Sequence, residues 1–116
     1  MLQDEPLLLD MLNAAADAVE FVGSADQTQF KADKMLQYAV IRCIEIVGEA
    51  ARKVSRGFQS ANPEIPWPDI VGMRHRLIHN YSDVRLDLVW SVVHDKLPEL
   101  IAALRQLVPP DPDEPQ

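Results

Sequence analysis

Nine consecutive residues, Met73-Arg74-His75-Arg76-Leu77-Ile78-His79-Asn80-Tyr81, hold two arginines, two of the three histidines and one of the two tyrosines. A guanidinium stays charged at any physiological pH and offers paired N–H donors to phosphoryl oxygens. An imidazole, with an ordinary pKa near ~6.5, accepts or delivers a proton at neutral pH. These parts suit metal-free cleavage of RNA, because the substrate supplies its own nucleophile, the neighbouring 2′-hydroxyl. The protein then has to align that hydroxyl, move protons and stabilise charge on the phosphoryl oxygens.

Each residue also has a plainer use. His79 can cap a helix C-terminus, where a cation is favoured. Arg74 can enter a structural ion pair, with Glu49 a candidate partner. His75 and His79, four apart, have the spacing of a zinc pair on one helix face. No glutamate stands between them in the protease manner and no third ligand is evident, so no metal is expected. Tyr81 fits a half-buried aromatic, and Trp67 and Trp90 fit the core. On one continuous helix Arg74 and His79 diverge by about 140°. Their convergence therefore requires the last turn to unwind, or two copies to meet at a dimer interface.

The element that carries the cluster is predicted as a short helix from about Pro68 to His79. The run Pro63-Glu64-Ile65-Pro66-Trp67-Pro68 precedes it and cannot be helix interior, although Pro68 suits a first turn. Residues 57–66 read as a loop, with Gly57 stopping the helix before it. That earlier helix begins behind Asp33 as cap. Leu36, Val40, Cys43, Val47, Ala50 and Val54 form its stripe, widened by Ile44 and Ala51, so it should pack on more than one neighbour. Gly48, mid-helix, costs near ~1 kcal/mol relative to alanine, and close approach of another backbone would offset that.

A first helix, with Asp4 as cap and Pro6 in its first turn, runs to Val22 and stops at Gly23-Ser24. Residues 25–32 are polar apart from Phe30 and fit a short helix or a loop. Beyond the cluster, Asp83 is the expected cap of a last helix extending to Val108, bent by Pro98 near His94. No segment alternates with period two. The prediction is an all-α, antiparallel up-and-down bundle over residues 1–108, followed by a disordered, acidic, proline-rich tail over 109–116.

The 116 residues suit one domain. Cys43, the one cysteine, excludes an internal disulfide and reads as a buried thiol. No membrane-length apolar run or basic leader is present, so a cytoplasmic protein is expected. The net charge of −7 is uneven: residues 52–86 hold six basic and three acidic groups, a local +3, and the remainder sums to −10. A basic middle on an acidic frame can present a small anion site.

Arg74-His75-Arg76-Leu77-Ile78-His79-Asn80-Tyr81 resembles the Arg-x4-His-x-Tyr motif of the HepT-like toxins, a branch of the HEPN superfamily. Ala39 to Arg42, Ile46 to Ala51, Asn62 to Trp67, Val89-Trp90 and Asp95 to Pro98 are similar to the family's other landmarks, in the same order. The resemblance spans about residues 5–105. It implies an all-helical homodimer whose two motifs face one cleft, and a metal-independent endoribonuclease without cofactors, Arg74 and His79 being the catalytic pair. His75, Arg76 and Asn80 are then the expected supporting contacts to phosphate or RNA. It further implies a type II-like toxin–antitoxin pair, with an MntA-type nucleotidyltransferase as antitoxin that attaches AMP to Tyr81. The alternative is a HEPN module that holds a nucleotide or a partner without cutting RNA.

Overall fold

The computed structural model describes residues 3–80 and 82–108, so Tyr81 and the expected tail over 109–116 lie outside the described residues. The architecture is all-α, with one small hairpin. In order it comprises α1 (Glu5–Val22), α2 (Gln27–Ala32), α3 (Lys34–Lys53), α4 (Arg56–Ala61), α5 (Trp67–Leu77), β1 (Ile78–Asn80), β2 (Asp83–Val84), α6 (Leu86–Ser91), a π-helical turn (Val92–Lys96) and α7 (Leu97–Leu107).

The core lies where α1 packs on α3 on one side and on α7 on the other. Leu8, Met11 and Ala15 of α1, Val40, Ile44 and Val47 of α3, and Leu97 and Leu104 of α7 are all buried in one apolar cluster. α3 also packs on α5, so its wide apolar face has the several neighbours its pattern predicts. Among the described residues no helix is long and apolar enough to cross a membrane.

At Gly48 the backbone of α5 lies close against α3. A Cβ built there would stand 3.4 Å from the Ile70 carbonyl oxygen and 3.8 Å from that of Val71. Alanine just fits, whereas a branched side chain would drive α5 outward. Gly48→Val should therefore lower stability by about 1–3 kcal/mol, the usual cost of overpacking, while Gly48→Ala stays near the parent; urea midpoints read both.

Several helix ends differ from the sequence expectation, each for a local reason. Asp4 has helical backbone angles and does not cap α1 through its side chain. Its carboxylate instead accepts from Ser55 N at 2.9 Å and Ser55 Oγ at 2.7 Å. Ser55 Oγ in turn caps α4 by accepting from Phe58 N. Thus α3 ends at Lys53 rather than at Gly57, and Gly57 lies in the first turn of α4, inside the stretch expected to be loop. Gln59 Nε2 closes the break by donating to the carbonyls of Ala51 and Val54.

Of the two options for residues 25–32, the short helix is the one adopted. Asp26 and Gln29 cap it reciprocally. Fully buried Phe30 anchors it, its ring 5.7 Å from that of Trp90.

α5 ends at Leu77, two residues before its expected end, and Ile78 is extended. β1 and β2 pair antiparallel, with Ile78 opposite Val84. A three-residue strand is too short for alternation to register in a sequence window. Asp83 lies in β2, and α6 begins behind Arg85 without a side-chain cap, so Asp83 does not have its expected role. The expected distortion near His94 takes the form of the π-helical turn, where Leu97 N–H reaches back five residues to Val92 O. Pro98, at the start of α7, has no N–H to give to the His94 carbonyl, which accounts for the widened turn.

Candidate functional site

The close crossing at Gly48 sets how α5 runs past α3. Gly48 lies against Ile70 and Val71, while Glu45, three residues earlier in α3, meets Arg74, three residues beyond Val71, so the two helices run in opposite directions. The side chains meet there: Arg74 Nε donates to Glu45 Oε2 at 2.8 Å. Glu45 is the more enclosed partner, its side chain 18% exposed against 47% for Arg74. Glu49, the partner considered from sequence, instead pairs along its own helix with Arg52 at 2.7 Å and Lys53 at 3.6 Å. Its hydrogen bond to Arg52 holds that carboxyl below the usual range.

His79 is reached by a different route. The chain leaves α5 at Leu77 and turns extended, which directs Ile78 into the core and leaves His79 exposed on β1. The divergence of about 140° that a continuous helix would impose does not apply to a residue two positions beyond the helix. The same change takes His75 and His79 off a common helical face, so the zinc-pair spacing does not exist here. Among the described residues no cluster of three metal-ligating side chains occurs.

The supporting residues have distinct surroundings. Arg76 is two residues from Arg74, about 200° around α5, and so leaves the opposite side. Its Nη2 donates to the Asp69 carbonyl at 2.8 Å, back towards the start of α5. There it lines a mostly apolar groove of about 270 Å³ between α5 and α7. Asn80 Oδ1 accepts from Ser82 N at 2.9 Å and from Ser82 Oγ, an Asx turn that links the two strands. His75 is exposed on α5. His94, the third histidine, stacks on Trp90 with ring centroids 5.6 Å apart and hydrogen-bonds Asp95, outside this cluster.

Cys43 is buried, and burial followed by the nearby Asp17 charge pushes its thiol up, which disfavours the nucleophilic thiolate. Trp67 is core, as expected; its indole N–H donates to the Asn62 carbonyl at 3.0 Å and so fixes the start of α5. Trp90 is partly buried on Phe30. Sequence reasoning missed Glu45. Gly48 signals a close crossing, but which of Glu45 and Glu49 meets Arg74 depends on the register of α5 on α3.

The site thus presents a guanidinium held from a second helix, followed by an exposed imidazole on the strand that succeeds it. A guanidinium can bind an anion, and an imidazole can exchange a proton at neutral pH.

A family model described as "Ribonuclease HepT-like" matches residues 11–107. The chain is 40% identical over 93 residues to "Putative RNase MJ1380" of Methanocaldococcus jannaschii, covering 80% of this chain and 85% of that protein. It is 35% identical over 102 residues to "Probable ribonuclease HepT" of Thermococcus cleftensis, covering 84% and 93%. It is 34% identical over 101 residues to "Putative RNase MJ0125" of M. jannaschii, covering 87% of each. No solved structure matches the chain significantly.

Proposed function

Because the chain belongs to the HepT-like ribonuclease family, we propose that it is a metal-independent endoribonuclease acting through Arg74 and His79. The observation that carries this reading is the placement of the motif. Arg74 is fixed on α5 by an ion pair with α3, while the chain break at Leu77 brings His79 out of the helix and into solvent. In the proposed reaction the 2′-hydroxyl of one nucleotide loses its proton and attacks the adjacent phosphorus. The bond to the 5′-oxygen of the next nucleotide breaks, and that oxygen takes up a proton. His79 serves proton transfer, and Arg74 stabilises charge on the non-bridging oxygens.

The active form is a homodimer in which two copies of the motif face one cleft. The protein acts in the cytoplasm as the toxin of a toxin–antitoxin pair, and an MntA-type nucleotidyltransferase restrains it by adding AMP to Tyr81. The names of these three relatives, "Putative RNase" twice and "Probable ribonuclease HepT", support the substrate class.

Incubation of the purified protein with single-stranded RNA in excess EDTA tests the chemistry. Cleavage should persist at the rate seen without chelator, leaving 2′,3′-cyclic phosphate or its hydrolysis product. RNA that is retained but stays intact would establish the non-cleaving binding module instead.

A further inference from the structure

We propose that Glu45 is a positioning residue for RNA cleavage, acting through Arg74; this rests on the ribonuclease reading above. Arg74 is the long, flexible member of the pair, its side chain the more exposed of the two. The hydrogen bond from its Nε to Glu45 Oε2, at 2.8 Å, crosses between two helices that are 29 residues apart in sequence at this point. A guanidinium is planar, so a carboxylate that takes the Nε–H fixes the directions of the remaining four N–H groups.

Glu45 is suited to be the fixed half of the contact. It lies in the middle of α3, three residues from the Gly48 crossing that locks α3 on α5, and its side chain is largely enclosed. The neighbouring Glu49 is exposed and bound to Arg52 and Lys53 of its own helix, so it is not placed to substitute. The arginine that must meet a phosphoryl oxygen is thereby held from the scaffold rather than from the loop region that follows it. Positioning of this kind acts on kcat, since a displacement near 1 Å in a charged group can cost about 10²-fold in rate.

The test compares the parent with Glu45→Gln, Glu45→Asp and Glu45→Ala, using kcat and KM for a single-stranded RNA and the thermal midpoint of each protein. Glutamine keeps the side-chain length and an oxygen that accepts the Nε–H. Aspartate keeps the charge but withdraws the carboxylate by one methylene. The expected order is parent and Gln close together, Asp slower, and Ala slowest by about 10–100-fold in kcat, with KM and thermal midpoint changing far less. Parental kcat in Glu45→Ala would overturn the proposal, as would Gln falling to the level of Ala while Asp keeps the parental rate. Should Ala fail to fold, the Gln and Asp variants still decide between geometry and charge. If the parent itself leaves RNA intact, the ribonuclease reading fails and this proposal with it, an outcome distinct from a parent that cuts and a Glu45→Ala variant that cuts equally well.

Discussion

His79→Ala is expected to fold as the parent does and to lose RNA cleavage by about 10²–10⁴-fold, the contribution of a positioned general acid or base. Folding should survive because His79 is exposed on β1, while its neighbour Ile78 supplies the buried side chain that anchors the strand. Exposed substitutions of this kind usually change stability by less than about 0.5 kcal/mol. Loss of rate with an unchanged thermal midpoint and an unchanged mass by light scattering would assign the imidazole to the chemistry. The companion variant Arg74→Ala removes the cation proposed to stabilise the transition state and should cost about 10²–10³-fold. It also leaves the enclosed Glu45 carboxylate without its ion-pair partner, so its thermal midpoint needs the same control. A His79→Ala protein that cuts RNA at the parental rate would remove this residue from the mechanism.

The contrast between these two side chains shows what the sequence could and could not disclose. The helical face of α3, the cap at Asp33, the extent of α1 and the close approach at Gly48 are all local or periodic properties, and they are readable because they repeat at 3.6 residues or follow from one residue's stereochemistry. The distortion before Pro98 is readable for the same reason. The end of α5 is not. Nothing between Arg74 and His79 is a helix breaker by type, and the break at Leu77 arises because Ile78 is buried and pairs with Val84 across the hairpin. Likewise α4 depends on Ser55 being held by Asp4, a partner 51 residues away.

The Arg74 partner illustrates the same limit more sharply. Glu45 and Glu49 are four apart on α3, and either could face α5 from periodicity alone. The choice is made by register, since Gly48 against Ile70 and Val71 goes with residue 45, not 49, beside residue 74. Register is a property of two helices packed together. The sequence contains its cause, a glycine at the crossing, without stating its phase. The Arg-x4-His spacing names Arg74 and His79 without needing the path between them, so it carries no information on where α5 ends or on which carboxylate meets Arg74.

Co-expression with an active MntA-type nucleotidyltransferase should raise the protein's mass by whole AMP units, and Tyr81→Phe should abolish the increase. In the transfer the tyrosine oxygen attacks the α-phosphorus of ATP, pyrophosphate leaves, and the product is a phosphodiester carrying about one negative charge per AMP. Tyr81 follows His79 by two residues, in a segment whose basic groups give residues 52–86 their local +3. An added anion there competes with the RNA phosphate for the Arg74 guanidinium, and the nucleotide's bulk obstructs approach to His79. Cleavage by the modified protein should therefore fall by about 10²-fold, the scale on which one lost transition-state donor acts. Tyr81→Phe should cut RNA at close to the parental rate and stay active in the presence of the transferase. An unchanged mass beside a demonstrably active transferase would separate this chain from such regulation, and full cleavage by the modified protein would show that the added phosphate lies clear of the reacting groups.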